Sequence, residues 1–166
     1  MIKVGVIGGA GYTAGELLRI LLNHPQVEIT FVNSSSNAGN KLYDVHEGLF
    51  GETEMTFTDE LPLDKIDALF MCSAHGDSKK FMDSHEVPSH VKIIEDFRDE
   101  SEGFVYGLPE INRERIKGAT KLANPGCFAT AIQIGLLPLA AKGLLKGEIH
   151  TNGITGSTGA GVKPGA

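Results

Sequence analysis

The 166-residue chain contains only two cysteines, Cys72 and Cys127. In a chain without secretory features that number does not suggest a disulfide framework. No apolar run approaches the ~20 residues of a membrane span. The start, Met1-Ile2-Lys3, enters an apolar strand pattern directly and shows no signal-peptide arrangement. Together these absences point to a cytoplasmic chain with no membrane partner. Positive charge is also scarce, with 15 Lys and Arg against 21 Asp and Glu, a formal net charge of -6. With no basic cluster, a nucleic-acid surface is not expected. No His, Cys, Asp and Glu grouping has metal-ligand spacing, so no metal is expected. No internal repeat is present. What remains, 41% hydrophobic and 22% charged residues, is ordinary globular composition at a length of about one domain.

The N-terminus supplies the first positive signal. Ile2-Lys3-Val4-Gly5-Val6-Ile7 suits a buried parallel strand. It runs into Gly8-Gly9-Ala10-Gly11-Tyr12-Thr13-Ala14-Gly15, then into a helical pattern carried by Leu17, Leu18, Leu21 and Leu22 that Pro25 ends. A second strand is predicted over 27–32. Glycines at such a strand-to-helix turn let backbone approach a pyrophosphate seated at the helix N-terminus. Gly8, Gly9, Ala10, Gly11, Tyr12, Thr13 and Ala14 are therefore expected to bind a dinucleotide. An NAD site usually places a carboxylate after the second strand. Here the loop reads Asn33-Ser34-Ser35-Ser36-Asn37-Ala38-Gly39-Asn40-Lys41, with none. Ser34, Ser35 and Lys41 suit a 2′-phosphate and so NADP; the alternative is an ordinary polar loop.

Further along, residues 42–57 form a glycine-punctuated connection and 59–65 a loop or short turn. Strands are predicted over 66–72, 91–94 and 120–123, with a polar helix over 77–84. Alternating strands and helices indicate an α/β fold, a Rossmann-type, doubly wound, mostly parallel sheet. In such sheets ligands sit at the carboxyl ends of the strands. The glycine turn, Ser73-Ala74-His75-Gly76, Asp96-Phe97-Arg98 and Cys127 should then share one edge. Cys127 follows Asn124-Pro125-Gly126 and opens an apolar helix predicted over 129–142. A thiol at a helix N-terminus meets unpaired backbone N–H groups and the positive end of the dipole. Both favour the thiolate, the form that attacks an acyl carbon. The alternative is a buried structural cysteine, the role read for Cys72. Ser73 and His75 could line the nicotinamide pocket, or His75 could be a loop histidine. Arg98 could pair a substrate anion or sit in a surface ion pair. His24 is expected to meet the terminal carbonyls of the first helix; His46, His85, His90 and His150 show no partner pattern. Composition shifts after Gly143. A strand is predicted over 148–155, then a glycine-rich segment with Gly159 and Lys163 that either holds phosphate or forms a tail. The predicted division is 1–147 for the dinucleotide-binding domain and 148–166 for the incomplete start of an α+β substrate domain.

These motifs carry a family resemblance. Gly8 to Leu17 with its Gly-Tyr-Thr core, Ser73-Ala74-His75-Gly76, Asp96-Phe97-Arg98, Tyr106-Gly107-Leu108-Pro109-Glu110, Asn124-Pro125-Gly126-Cys127 and Gly156-Ser157-Thr158-Gly159-Ala160-Gly161 together resemble the N-acetyl-γ-glutamyl-phosphate reductases. Those enzymes are relatives of aspartate-semialdehyde dehydrogenase. The resemblance implies an NADPH-dependent reduction of an acyl phosphate to a semialdehyde, with Cys127 forming a thioester. It also implies that Glu110 and Asn124 shape the substrate pocket and that the full-length protein is a homo-oligomer. The family's general acid/base histidine lies in a later segment that this chain does not contain, so roughly the N-terminal half is expected here. The turn before Asp96 is shorter than the family's usual one, and Thr13-Ala14-Gly15-Glu16 replaces a more frequent Thr-Gly-Ala-Glu order. A non-catalytic NADP-binding module and aspartate-semialdehyde dehydrogenase itself remain as rival readings, and the N-acyl group could be acetyl or succinyl.

Overall fold

A computed structural model describes residues 1–73, 77–95 and 103–160, apart from the side chains of Ser157 and Ala160. The early apolar runs become strands β1 (Ile2–Ile7), β2 (Val27–Asn33), β3 (Ala68–Met71) and β4 (Lys92–Glu95). Two short strands, β5 (Val105–Tyr106) and β6 (Lys121–Ala123), complete a six-stranded sheet in the order β2-β1-β3-β4-β6-β5. Every pairing in it is parallel. Helices α1 (Tyr12–Leu22), α2 (Leu42–Val45), α3 (Asp77–Ser84), α4 (Pro109–Gly118), α5 (Cys127–Ala141) and α6 (Ser157–Ala160) occupy the connections.

Side chains alternate across the sheet, as strand geometry requires. Val4, Val6, Val32 and Ala68 turn to one face, where Ala14, Leu18 and Leu21 of α1 cover them together with Leu42, Leu49 and Phe57. Ile7, Phe31, Leu69, Met71 and Ile93 turn to the other, packing with Leu63, Ile66, Phe104 and Ala123 and flanked by Phe81 and Met82 of α3. Helices therefore cover both faces, the doubly wound arrangement expected. The chain leaves β1 toward β2 on one side and reaches β3 on the other, which puts the topological switch point between the ends of β1 and β3.

The structure corrects several boundaries. β5 and α4 carry no sequence expectation, since two residues are too few to show a periodicity. Cys72 lies just past β3 rather than inside it, and its N–H donates to the Ile7 carbonyl at 2.8 Å. Residues 148–155 are exposed and non-helical and form no strand. Their alternation is real, but a strand needs a neighbour to satisfy its N–H and C=O groups, and among the described residues none pairs with it. No helix of the described residues is long and apolar enough to cross a membrane.

Candidate active site

Because all strands run parallel, their carboxyl ends share one edge. Gly8 follows β1, Ser34 follows β2, Cys72 and Ser73 follow β3, Gly107 follows β5 and Asn124 follows β6. Three strand spacings separate β1 from β6, about 14 Å across the sheet. His75 and Arg98 lie outside the described residues.

The glycine turn is built tightly against its neighbour. Gly8 adopts φ +73°, and a Cβ there would meet the carbonyl carbon of Cys72 at 2.7 Å and the Ser73 nitrogen at 2.8 Å. Gly9 donates its N–H to the Asn33 carbonyl at 2.9 Å, tying the turn to β2. Gly11 caps α1 with no side-chain hydrogen bond, and the first turn, which includes Tyr12, Thr13 and Ala14, contains no acidic residue. The helix thus presents its N-terminal N–H groups without a competing carboxylate. That arrangement fits an anion such as the pyrophosphate of a dinucleotide.

After β2, a short 3-10 turn over Ser35–Asn37 begins. Ser34 is buried and its hydroxyl accepts a hydrogen bond from Asn37 Nδ2 at 3.1 Å. Ser35 is exposed. Lys41 lies beside a carboxylate. Its ammonium donates to the Glu54 carbonyl at 2.7 Å and to the Glu54 carboxylate at 3.0 Å. The antiparallel bridge between Lys41 and Thr56 brings the two together.

Cys127 is the first residue of α5, with Gly126 as the extended N-cap. It is an exposed residue rather than one walled into the interior. Cys72, half-buried, packs against the core beneath α1. The segment before Cys127 is pinned by a 2.6 Å hydrogen bond from the Asn124 N–H to the carbonyl of buried Glu95 at the end of β4. Gln133, on the same helix, donates to the Tyr106 hydroxyl at 2.9 Å, linking α5 to β5. The carbonyl of Tyr106 in turn accepts from Asn112 Nδ2 at 2.9 Å. Tyr106 thus ties the cysteine's helix to both β5 and α4.

Other expected residues fall elsewhere. Glu110 is exposed in the first turn of α4. It lines a shallow concavity of about 380 Å³ formed by residues 109–115 of that helix, which includes neither Cys127 nor the glycine turn. Gly159 sits in α6, where nothing but Thr155 lies within 4 Å of a would-be Cβ. His24 does not reach the helix carbonyls through its ring; its Nδ1 accepts from the Gln26 N–H at 3.2 Å. His46 is the residue that sequence reasoning missed, because its Nε2 meets the Gly9 carbonyl at 2.7 Å across 37 residues of chain. Among the described residues no cluster of three or more His, Cys, Asp or Glu could hold a metal ion.

Comparison with known proteins bears on this edge. Residues 3–119 match the family described as semialdehyde dehydrogenase, NAD binding domain, and residues 127–166 match its dimerisation domain. The second match begins at Cys127, ahead of the composition shift at Gly143. Curated relatives named N-acetyl-gamma-glutamyl-phosphate reductase include that of Phocaeicola vulgatus, 67% identical over all of this chain and 53% of its own length. That of Flavobacterium johnsoniae is 53% identical over 98% of this chain and 52% of its own. The chain spans about half the length of the curated relatives it matches. Among solved structures, aspartate semialdehyde dehydrogenase with NADP from Candida albicans superposes with a TM-score of 0.65 at 18% identity, covering 87% of this chain and 48% of its own. The enzyme from Francisella tularensis gives 0.64 at 16% identity, covering 86% and 42%. A glycine turn at the switch point of a parallel sheet, matched over 3–119, is therefore a nicotinamide-dinucleotide-binding domain, and the chain belongs to the semialdehyde dehydrogenase family.

Proposed function

We propose that this chain is the dinucleotide-binding and cysteine-bearing part of an NADPH-dependent N-acetyl-γ-glutamyl-phosphate reductase of arginine biosynthesis. The observation that carries the reading is an exposed cysteine opening α5 at the sheet edge that holds the glycine turn. Identity of 67% to a relative bearing the reductase name favours it over aspartate-semialdehyde dehydrogenase. Likeness to the latter stands at 16–18% identity and speaks for the fold alone.

In this reading Cys127 Sγ attacks the acyl carbon of the acyl phosphate. The carbon–oxygen bond to phosphate breaks, orthophosphate leaves, and the acyl group is held as a thioester. When bound, NADPH would supply the hydride that takes the acyl carbon to the aldehyde oxidation level, as the carbon–sulfur bond breaks and Cys127 leaves as the thiolate. Gly8 to Ala14 hold the pyrophosphate. The polar, carboxylate-free turn at Ser34 and Ser35 accommodates a 2′-phosphate and so favours NADP over NAD. Ser73 and His75, by their place after β3, line the nicotinamide end, while Arg98, Asn124 and Glu110 are assigned to the substrate side. The full-length protein is proposed to be a cytoplasmic homo-oligomer, in keeping with its match to a dimerisation domain.

The test is oxidation of N-acetylglutamate semialdehyde by the full-length protein, with NADP and orthophosphate, beside its Cys127→Ser variant. Wild type should turn over. The variant should lose turnover by about a thousandfold or more, with NADP affinity nearly unchanged. Retained turnover in the variant would remove the thioester. The 166 residues alone should bind NADPH without turnover, because the expected acid/base histidine is not among them.

A further inference from the structure

We infer that His46 is the positioning residue of the glycine turn, an imidazole that fixes the peptide plane between Gly9 and Ala10 so that its N–H is left for the dinucleotide. The inference rests on the cofactor reading above and goes beyond it to a residue outside the turn.

A carbonyl oxygen only accepts, so the 2.7 Å contact between His46 Nε2 and the Gly9 oxygen requires the proton on Nε2. No peptide bond among the described residues is cis, and across a trans peptide the C=O and N–H point in opposite directions. Holding the Gly9 carbonyl on His46 therefore directs the Ala10 N–H away from the ring. Among the described residues that N–H meets no acceptor.

The same ring also meets the helix that follows the turn. A Cβ at Gly15 would lie 2.6 Å from His46 Nδ1, and the three atoms nearest that position all belong to this imidazole. The absence of a side chain at Gly15 thus lets His46 rest on the first turns of α1. One side chain thereby touches the loop carbonyl and the helix start together.

His46 is itself held rigidly. Its N–H donates to the Leu42 carbonyl at 2.9 Å, and its own carbonyl accepts from the Leu49 N–H at 2.8 Å. Leu42, Leu49 and Phe57 are buried in the core under α1, with the Phe57 ring centroid 6.2 Å from the imidazole. A donor anchored in the core can fix a glycine-rich loop that would otherwise sample many conformations, so binding loses less entropy.

The test uses the full-length protein, with NADPH affinity read by fluorescence titration. His46→Ala and His46→Leu should weaken NADPH about tenfold, while His46→Gln, whose amide can donate to the same carbonyl, should stay within about threefold of wild type. The Michaelis constant for NADPH should rise while kcat holds within about twofold. A second readout needs no cofactor. Gly15→Ala should lower the melting temperature of the ligand-free protein in the wild-type background and cost markedly less beside His46→Ala, since the imidazole supplies the atoms nearest that space. NADPH affinity equal to wild type in His46→Ala, or a Gln variant as weak as Ala, would overturn the inference, as would additive Gly15 and His46 effects on melting. A wild-type protein that binds no NADPH would instead overturn the cofactor reading, and the melting cycle would still decide whether the ring holds the turn.

Discussion

At the scale of single residues, the site is defined by places where one extra carbon has nowhere to go. Gly8→Ala would combine a positive φ with a backbone contact at 2.7 Å that no side-chain rotation relieves. It should destabilise the domain by about 3 kcal/mol and weaken NADPH binding, measured by denaturant unfolding and titration. Phe57, 1% exposed in the core beneath α1, gives a contrasting prediction. Phe57→Ala should cost about 3–5 kcal/mol and disturb the glycine turn from beneath, since its ring lies 3.3 Å from where a Cβ on Gly9 would stand. The glycine turn was legible because its demand is local: φ, strand and helix are all written between Ile2 and Leu22. Lys41 and His46 were not. Their partners, Glu54 and Gly9, arrive through contacts that no spacing in the chain announces.

At the scale of elements, α5 stands apart. It is rich in Ala, Ile and Leu yet has no fully buried residue, and Phe128, Ile132, Ile134 and Leu139 remain exposed. Its described side-chain tie to the sheet is the hydrogen bond from Gln133 to the Tyr106 hydroxyl. Tyr106→Phe should therefore cost about 1 kcal/mol of stability and loosen the cysteine's helix, seen as faster amide exchange across α5. The helix itself was readable from composition, with a start at Ala129 that the structure moves to Cys127. That shift matters, because it makes the cysteine part of the first turn. The predicted strand over 148–155 failed for a reason sequence cannot supply: alternation names a face, and pairing needs a partner.

At the scale of the whole molecule, both buried clusters are complete by Ala123. Nothing described beyond Pro125 is buried. A chain ending at residue 126 should then unfold cooperatively, with a denaturant midpoint close to that of the 166-residue chain; loss of the transition would show that α5 contributes more than its exposure indicates. The doubly wound class was legible from the alternation of apolar runs and helices. The sheet order was not, because β5 is two residues long and pairs with β6, the strand that follows it.

That order constrains how the protein is made. β6 lies between β4 and β5 although it is translated last of the three. As the polypeptide leaves the ribosome, β5 has no strand beside it until Lys121–Ala123 slides into the gap. Insertion of β6 between β4 and β5 is thus the event that carries Asn124 to its bond with Glu95. A newly synthesised molecule sets Cys127 at the rim only once that strand is in place.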